Sequence, residues 1–165
     1  MNDESEDELA WRETYFILFD HSARPTLTQV EAALSRANRR LRFDSLAADE
    51  DGLFESALVQ APEDNAALEI SYEAGDAVVE QSVEIAKQLR KRVDTDQLAR
   101  LLRADARLDI MHFERVQDED PYLSDEPGEE FTEMLDPASL ITVVDALAKL
   151  TDGLAIDPAS GDLLV

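Results

Sequence analysis

The chain has 165 residues, of which 44% are hydrophobic, and this is enough for one folded domain with a core of its own. Its 38 acidic residues face only 15 basic ones, and the resulting net charge of −23 disfavours direct binding to nucleic acid and adhesion to an anionic membrane, which both need a basic surface. The absence of cysteine excludes a disulfide bond, a thiolate metal site and a thiol nucleophile.

The surplus of acid is concentrated in two short segments. Residues 1–8 hold five acidic residues and no basic one, and residues 117–136 hold nine acidic residues and no basic one, which leaves a net charge of −9 for the rest. We predict an acidic tail at residues 1–10 and a single domain over residues 11–165 that carries an acidic loop at residues 117–133. The N-terminus lacks the features of a secretory signal, and no stretch approaches the roughly 20 apolar residues of a membrane helix. We therefore expect a cytoplasmic protein that does not associate with membranes.

The first predicted elements are a strand and a helix. Residues 12–19 are typical of a buried strand because they combine aromatic and branched side chains. In the helix that follows, Thr28 and Glu31 predict a capping box. The apolar residues of this helix recur at steps of three and four: Leu27, Val30, Leu34, Ala37 and Leu41.

Three short strands are predicted next, over residues 42–48, 53–60 and 66–73. The turn between the first two ends in Gly52, which suits a hairpin because glycine tolerates positive φ. In the third strand apolar and polar residues alternate, which is typical of a strand with one face on the core.

The rest of the chain is predicted to hold three helices, a strand and a hairpin. The first helix covers residues 76–92, the second starts near Thr95, and residues 107–116 are typical of a strand. The core stripe of the first helix is predicted to be Val79, Val83, Ala86 and Leu89. The last helix begins with Asp136 as N-cap and Pro137 behind it, ends at Gly153, and buries Leu140, Val143, Val144, Leu147 and Leu150. Residues 154–165 then predict a hairpin.

This order of elements, β-α-β-β-β-α-α-β-α-β-β, predicts an α+β fold. Consecutive short strands favour a mainly antiparallel sheet, and we expect the helices to pack on one face of it.

The two histidines are candidates for a metal or acid–base site. His21 follows the first predicted strand and His112 lies within the strand predicted at residues 107–116, and pairing of those strands would bring several carboxylates beside them. The residues concerned are Asp20, His21, Asp109, His112 and Glu114. Their spacing matches no established ligand motif. His112 also shares strand parity with Leu108 and Ile110, which favours a position at the edge of the core.

Other chemical motifs give weaker signals. The acidic stretches at residues 49–51 and 118–120 lack the ligand alternation of a calcium loop, and the five glycines form no phosphate-binding pattern. The densest basic cluster consists of Arg36, Arg39, Arg40 and Arg42. Its position at a helix end favours compensation of the helix dipole. We expect no cofactor and no metal.

The sequence favours a non-catalytic interaction domain over an enzyme. Missing catalytic motifs and segregated acidic charge indicate a basic protein as partner. The predicted contact residues are Asp118, Glu119, Asp120, Tyr122, Glu129 and Glu130. If that partner binds nucleic acid, the domain would mimic phosphate; an antagonist of a toxin would look similar. The alternatives are a small hydrolase or metal-dependent enzyme that uses the histidines, and a homo-oligomer built through sheet edges such as the hairpin at residues 154–165.

Overall fold

A computed structural model describes residues 9–115 and 138–164 of the chain. The strands within these ranges are β1 (Leu9–Phe19), β2 (Arg42–Ala48), β3 (Phe54–Ala61), β4 (Ala66–Ala74), β5 (Ala106–Arg115), β6 (Leu154–Asp157) and β7 (Asp162–Leu164). The helices are α1 (Leu27–Ala37), α2 (Asp76–Leu89), α3 (Thr95–Arg103) and α4 (Ala138–Thr151). None of these helices has the length and hydropathy that a bilayer crossing requires. The predicted α+β class and order of elements are confirmed.

The described strands form one sheet in the order β2-β3-β4-β5-β1-β6-β7, and each neighbouring pair is antiparallel. Strands β2, β3 and β4 are consecutive in the chain and are joined by short turns. Strand β1 instead lies between β5 and β6, which are both far from it in sequence. The sheet therefore joins a local meander to a first strand that depends on distant partners.

Helices cover both faces of this sheet. Ile17 packs on face A, with side chains of α1 and α4, whereas its neighbour Leu18 packs on face B, with side chains of α2 and α3. The expectation that the helices lie on one face was wrong. The alternation that suggested it belongs to β4, where Glu69 is exposed. Residues 17–19 and 154–156 are instead buried without a break, which is the pattern of strands covered on both sides.

The N-terminus of α1 is capped by Thr26 and not by Thr28. The Thr26 hydroxyl accepts a hydrogen bond of 3.0 Å from the Gln29 backbone N–H, and the Gln29 side chain accepts one of 2.9 Å from the Thr26 N–H. Thr26 has the extended backbone that an N-cap needs, since its φ is −81° and its ψ 162°. The predicted capping box was two residues too late because both positions offer a threonine.

The buried stripe of α2 is rotated relative to the prediction. It consists of Val78, Ser82, Ala86 and Leu89. Leu89 is buried as predicted, but Val83 is only half-buried, so that assignment was wrong. A ranking by hydrophobicity places the valines in the core, whereas the packing of α2 places the small side chain of Ser82 there.

Gly153 permits a close approach between the turn after α4 and strand β1. A Cβ atom at this position would lie 2.7 Å from Ile17 Cγ2 and 2.9 Å from the Leu18 carbonyl oxygen. Both distances are well below normal van der Waals contact. The left-handed residue that ends α4 is Asp152, with a φ of 56°. Gly153 is therefore required by the space against β1.

Replacing Leu89 or Leu147 with alanine should lower the free energy of unfolding by about 2–4 kcal/mol, since each change leaves a cavity in a packed core. Leu89 tests face B and Leu147 tests face A. Chemical denaturation measures both effects. Leu102→Ala is the control, because Leu102 is 51% exposed on α3 and its loss should change the free energy by no more than about 0.5 kcal/mol. A similarly small effect at Leu147 would show that α4 does not contribute to the core.

Candidate functional site

The two histidines lie at opposite ends of the β1–β5 pair. His21 follows β1, whose last residue Phe19 is opposite Ala106, whereas His112 is opposite Glu13. Six residues of β1 separate these positions, which is about 20 Å at roughly 3.3 Å per residue. His112 shares face A with its core neighbours, and Asp109 is on face B. The five side chains proposed from the sequence therefore do not form one site.

His21 lies in a small polar cluster with Asp20 and Asp105. The His21 ring Nδ1 is 2.8 Å from Asp105 Oδ2, and the His21 backbone N–H donates to Asp105 Oδ1 at 2.8 Å. Because an ionised carboxylate only accepts, Nδ1 of the ring is the donor in this contact. One ligand atom from each residue lies within 4.8 Å of the others, so the three can approach a single cation. His21 is nevertheless 65% exposed, which keeps the cluster in contact with water.

Asp20 is held by the turn that follows β1. Its Oδ1 accepts a hydrogen bond of 2.9 Å from the Ser22 backbone N–H and lies 3.8 Å from His21 Nδ1. The hydrogen bonds from Ser22, that of the backbone first, lower the pKa of Asp20. Asp20 therefore stays ionised for a local structural reason, since capping the short turn at His21–Ala23 requires an acceptor.

A cleft of about 230 Å³ lies beside this cluster, between the end of β1 and helix α3. Its polar lining includes Asp20, Ser22, Arg100, Arg103, Thr151 and Asp152. Arg100 is already engaged, because its Nη2 donates to the Asp152 carbonyl oxygen at 2.6 Å and to the Asp152 carboxylate at 3.3 Å. The cleft thus mixes both signs of charge and selects no single class of small ligand.

His112 is a partly buried residue with a local partner. Its Nδ1 is 3.0 Å from Glu13 Oε2, and its side chain is 13% exposed. Glu114 pairs with Arg12 at the next step of the strands. These contacts agree with the core-edge interpretation of His112. Sequence reasoning missed Glu13 as its partner, because only the β1–β5 register brings the two together.

Asp109 belongs to a second polar cluster, on face B between β4, β5 and α2. Arg107 donates to Asp109, to the side chain of Gln81 on α2, and to Glu73 Oε1 at 2.8 Å. The same guanidinium lies 4.7 Å from the centre of the Phe16 ring. Desolvation raises the pKa of Asp109, and the hydrogen bonds and charge of Arg107 oppose that rise. This arrangement ties α2 to the sheet.

The corner of the sheet where β1 begins and β5 ends holds an exposed aromatic residue. Trp11 is 57% exposed, its indole N–H donates to Thr14 Oγ1 at 2.8 Å, and Phe113 is its cross-strand partner. At the end of this pair Leu9 is opposite Arg115. Strand β1 thus begins inside the range predicted as the tail, residues 1–10.

Both acidic segments are joined to the folded domain at this corner. Residues 1–8 precede Leu9 directly, and Asp118 follows Arg115 by three positions in the sequence. The segments are far apart in the chain, yet the β1–β5 register places their points of attachment side by side. The predicted contact residues Asp118, Glu119, Asp120, Tyr122, Glu129 and Glu130 lie outside the described residues.

Comparison with protein-family models, with curated proteins and with solved structures finds no match to this chain.

The pH dependence of stability should identify Asp109 as a desolvated carboxyl. The pKa of Asp109 is higher in the folded state than the unfolded-state pKa of 3.8. The stability that Asp109 contributes is therefore complete below pH 3.8 and is lost as the pH rises through the folded-state pKa. Asp109→Asn removes this loss. The stability of the variant relative to the native chain should therefore improve from about pH 3 to pH 7, as measured by denaturant unfolding at each pH.

Arg107→Met provides the matched comparison. It keeps an apolar stem beside Phe16 but removes the partner of Asp109, so it should be less stable than the native chain by about 1–3 kcal/mol at pH 7 and by less at pH 3. In the double variant with Asp109→Asn the part of this pH dependence that is due to Asp109 should disappear, which leaves only the part due to Glu73. If Arg107→Met alone lost the same free energy of unfolding at every pH, Asp109 would not be the desolvated carboxyl that Arg107 stabilises.

Proposed function

We propose that this chain is a non-catalytic interaction domain that binds a basic protein through the acidic corner of its sheet. The acidic corner comprises the paired ends of β1 and β5 together with the acidic segments at residues 1–8 and 117–133. The observation that supports this proposal is the pairing of Leu9 with Arg115, which attaches the two most acidic parts of the chain next to each other.

The corner combines the two ingredients of a recognition surface. Concentrated charge of one sign attracts an oppositely charged protein over a distance and raises the rate of encounter. Exposed Trp11 offers a large apolar anchor at the same place, and tryptophan is enriched among residues that dominate binding energy. The proposed contact residues remain Asp118, Glu119, Asp120, Tyr122, Glu129 and Glu130.

A basic partner could itself be a nucleic-acid-binding protein, in which case the acidic corner would compete with phosphate for the same basic surface. Inhibition of such a protein, as by an antagonist of a toxin, is one form that this function would take. Both forms predict the same dependence on charge.

Neutralising five acidic residues of the corner should slow association with the partner. The substitutions are Asp118→Asn, Glu119→Gln, Asp120→Asn, Glu129→Gln and Glu130→Gln. Once the partner has been obtained by affinity capture, stopped-flow measurements should show an association rate that is about one or two decades lower and less sensitive to salt. The melting temperature should hardly change, because a cluster of charges of one sign repels itself and contributes little to the fold.

A matched control changes five exposed acids elsewhere on the domain, in the β2–β3 turn and on α2 and α3. The control positions are Glu50, Asp51, Glu80, Glu84 and Asp96. This variant has the same net charge and should keep most of the association rate. Equal slowing by both sets would show that overall charge, and not the corner, governs encounter. Lost stability with an unchanged rate would show that the acidic loop is structural.

A second candidate function is a metal-dependent hydrolase, which the spacing of Asp20, His21 and Asp105 favours. The proposed interaction function predicts that elemental analysis of the purified chain finds no stoichiometric transition metal. It also predicts that His21→Gln leaves binding of the basic partner unchanged. One metal ion per chain that is lost in His21→Gln and retained in His112→Gln would favour the enzyme instead.

A further inference from the structure

Helices α2 and α3 belong to one excursion of the chain between two neighbouring strands. The chain leaves the sheet after Ala74 at the end of β4 and returns at Ala106, the first residue of β5, and these two residues are cross-strand partners. One step beyond that pair, the Gly75 backbone N–H donates to the Asp105 carbonyl oxygen at 3.1 Å. Both connections between the excursion and the sheet therefore lie side by side.

The two helices are joined to each other as one body. Residues 90–94 separate the end of α2 at Leu89 from the start of α3 at Thr95. Within this link the Val93 backbone N–H donates to the Leu89 carbonyl oxygen at 3.1 Å, and the Val93 side chain packs against the cluster that contains Leu89 and Leu101. Because the link is short and packed, we expect α2 and α3 to move together.

The contact between this helix pair and face B is made partly by small and polar side chains. Ser82 and Ala86 form the middle of the buried stripe of α2, and the Ser82 hydroxyl has no hydrogen-bond partner among the described residues. A buried hydroxyl without a partner opposes the contact, because water hydrates it once the helix moves away. The desolvated carboxyl of Asp109 lies at the same contact. On face A the helices instead bury Leu34 and Leu147.

The helix pair also reaches the β6–β7 end of the domain through ion pairs that are open to solvent. Arg92 pairs with Asp162 of β7, and both side chains are more than half exposed. Arg100 pairs with Asp152 in the turn after α4, and the Asp152 side chain is 93% exposed. Exposed ion pairs contribute little to stability, so these contacts do little to prevent the helix pair from separating from the sheet.

Gly75 has a backbone conformation that only glycine adopts readily, with a φ of 129° and a ψ of −167°. It is exposed, and a Cβ atom at this position would meet no atom within 4 Å. Gly75 is therefore required by its backbone angles and not by lack of space, and its surroundings leave it free to rotate.

We propose that α2 and α3 form a lid on face B, which opens as one body about Gly75 while the sheet and the helices of face A stay folded. Opening uncovers Leu18, Leu154 and Ile156, which are buried when the lid is closed. The chain then presents an apolar strip of β1 and β6 that the closed domain does not offer. The lid goes beyond the proposed function, because it involves neither the acidic corner nor its partner.

Single cysteines report this opening, because the native chain contains none. Ala86→Cys places a thiol on the buried side of α2, and Ala57→Cys places one in the core of face A; both alanines are at most 3% exposed. In the full chain, alkylation by iodoacetamide should be at least about 100-fold faster at position 86 than at position 57, since opening of the lid requires less free energy than unfolding of the domain. Equal rates would overturn the inference.

Leu147→Ala separates opening of the lid from unfolding of the whole domain. It removes a core side chain from face A, which stays folded while the lid opens. Added to each cysteine variant, it should accelerate alkylation at position 57 by at least about thirtyfold and leave the rate at position 86 unchanged. Equal acceleration at both positions would show that position 86 is exposed only when the domain unfolds, and there would then be no lid.

Gly75→Ala tests the hinge. A Cβ atom strains the closed conformation of residue 75, so alkylation at position 86 should become at least about fivefold faster. Gly52→Ala is the matched control, because Gly52 in the β2–β3 turn also has a positive φ, of 83°, and open space around it, but lies outside the lid. It should leave the rate at position 86 unchanged. Equal effects of the two substitutions would contradict the assignment of Gly75 as the hinge.

Hydrogen exchange of the native chain needs no substitution, so it tests the lid even if a cysteine variant fails to fold. Backbone amides in the middle of α2 and α3 should share one level of protection, at least about 100-fold below that of amides in the middle of β1 and β5. Equal protection of the lid and the strands, or unequal protection of α2 and α3, would overturn the inference.

Discussion

The second half of strand β1 is surrounded by protein in four directions. Ile17, Leu18 and Phe19 are at most 3% exposed, with β5 and β6 on either side in the sheet and helices above and below it. Full burial of one such side chain is worth about 1.5–3 kcal/mol, and the two neighbouring strands satisfy the backbone polar groups. The placement of all four helices follows from this requirement. So does the need for Gly153 in the turn that passes over β1.

Much of the fold could be predicted because its strands and helices follow from local patterns in the sequence. The chain order of strands and helices is confirmed, because buried runs, alternation and turn residues each depend on neighbours in sequence. The two-sided burial of β1 was also visible in its unbroken apolar run but was outweighed by the alternation in β4. The stripe of α2 was not predictable from hydrophobicity alone, because Ser82 is fully buried whereas Val83 is only half-buried. Which side chains of a helix face the core depends on the surface that the helix packs against, and the sequence of the helix alone does not contain that information.

The candidate site depends on register, and this limits what sequence alone can predict. Asp20 and His21 are neighbours in the chain and remain together, but Asp105 joins them only because the end of β5 pairs with the end of β1. Glu13 reaches His112 for the same reason. A shift of one residue between these strands would send every side chain to the opposite face, so no inspection of composition identifies either partner. The attachment of both acidic segments at one corner is a further product of that register.

The position of β1 in the sheet also has a consequence for how the chain is made. It precedes the other described strands in the chain, yet its partners β5 and β6 come much later, the last of them ending at Asp157. At ordinary rates of translation the apolar run of β1 waits on the order of ten seconds for β6, while the meander β2-β3-β4 can already form. Residues 1–8 place five negative charges directly before β1. Charged residues that flank an aggregation-prone strand act as gatekeepers against aggregation, and residues 1–8 hold that flanking position in the sequence.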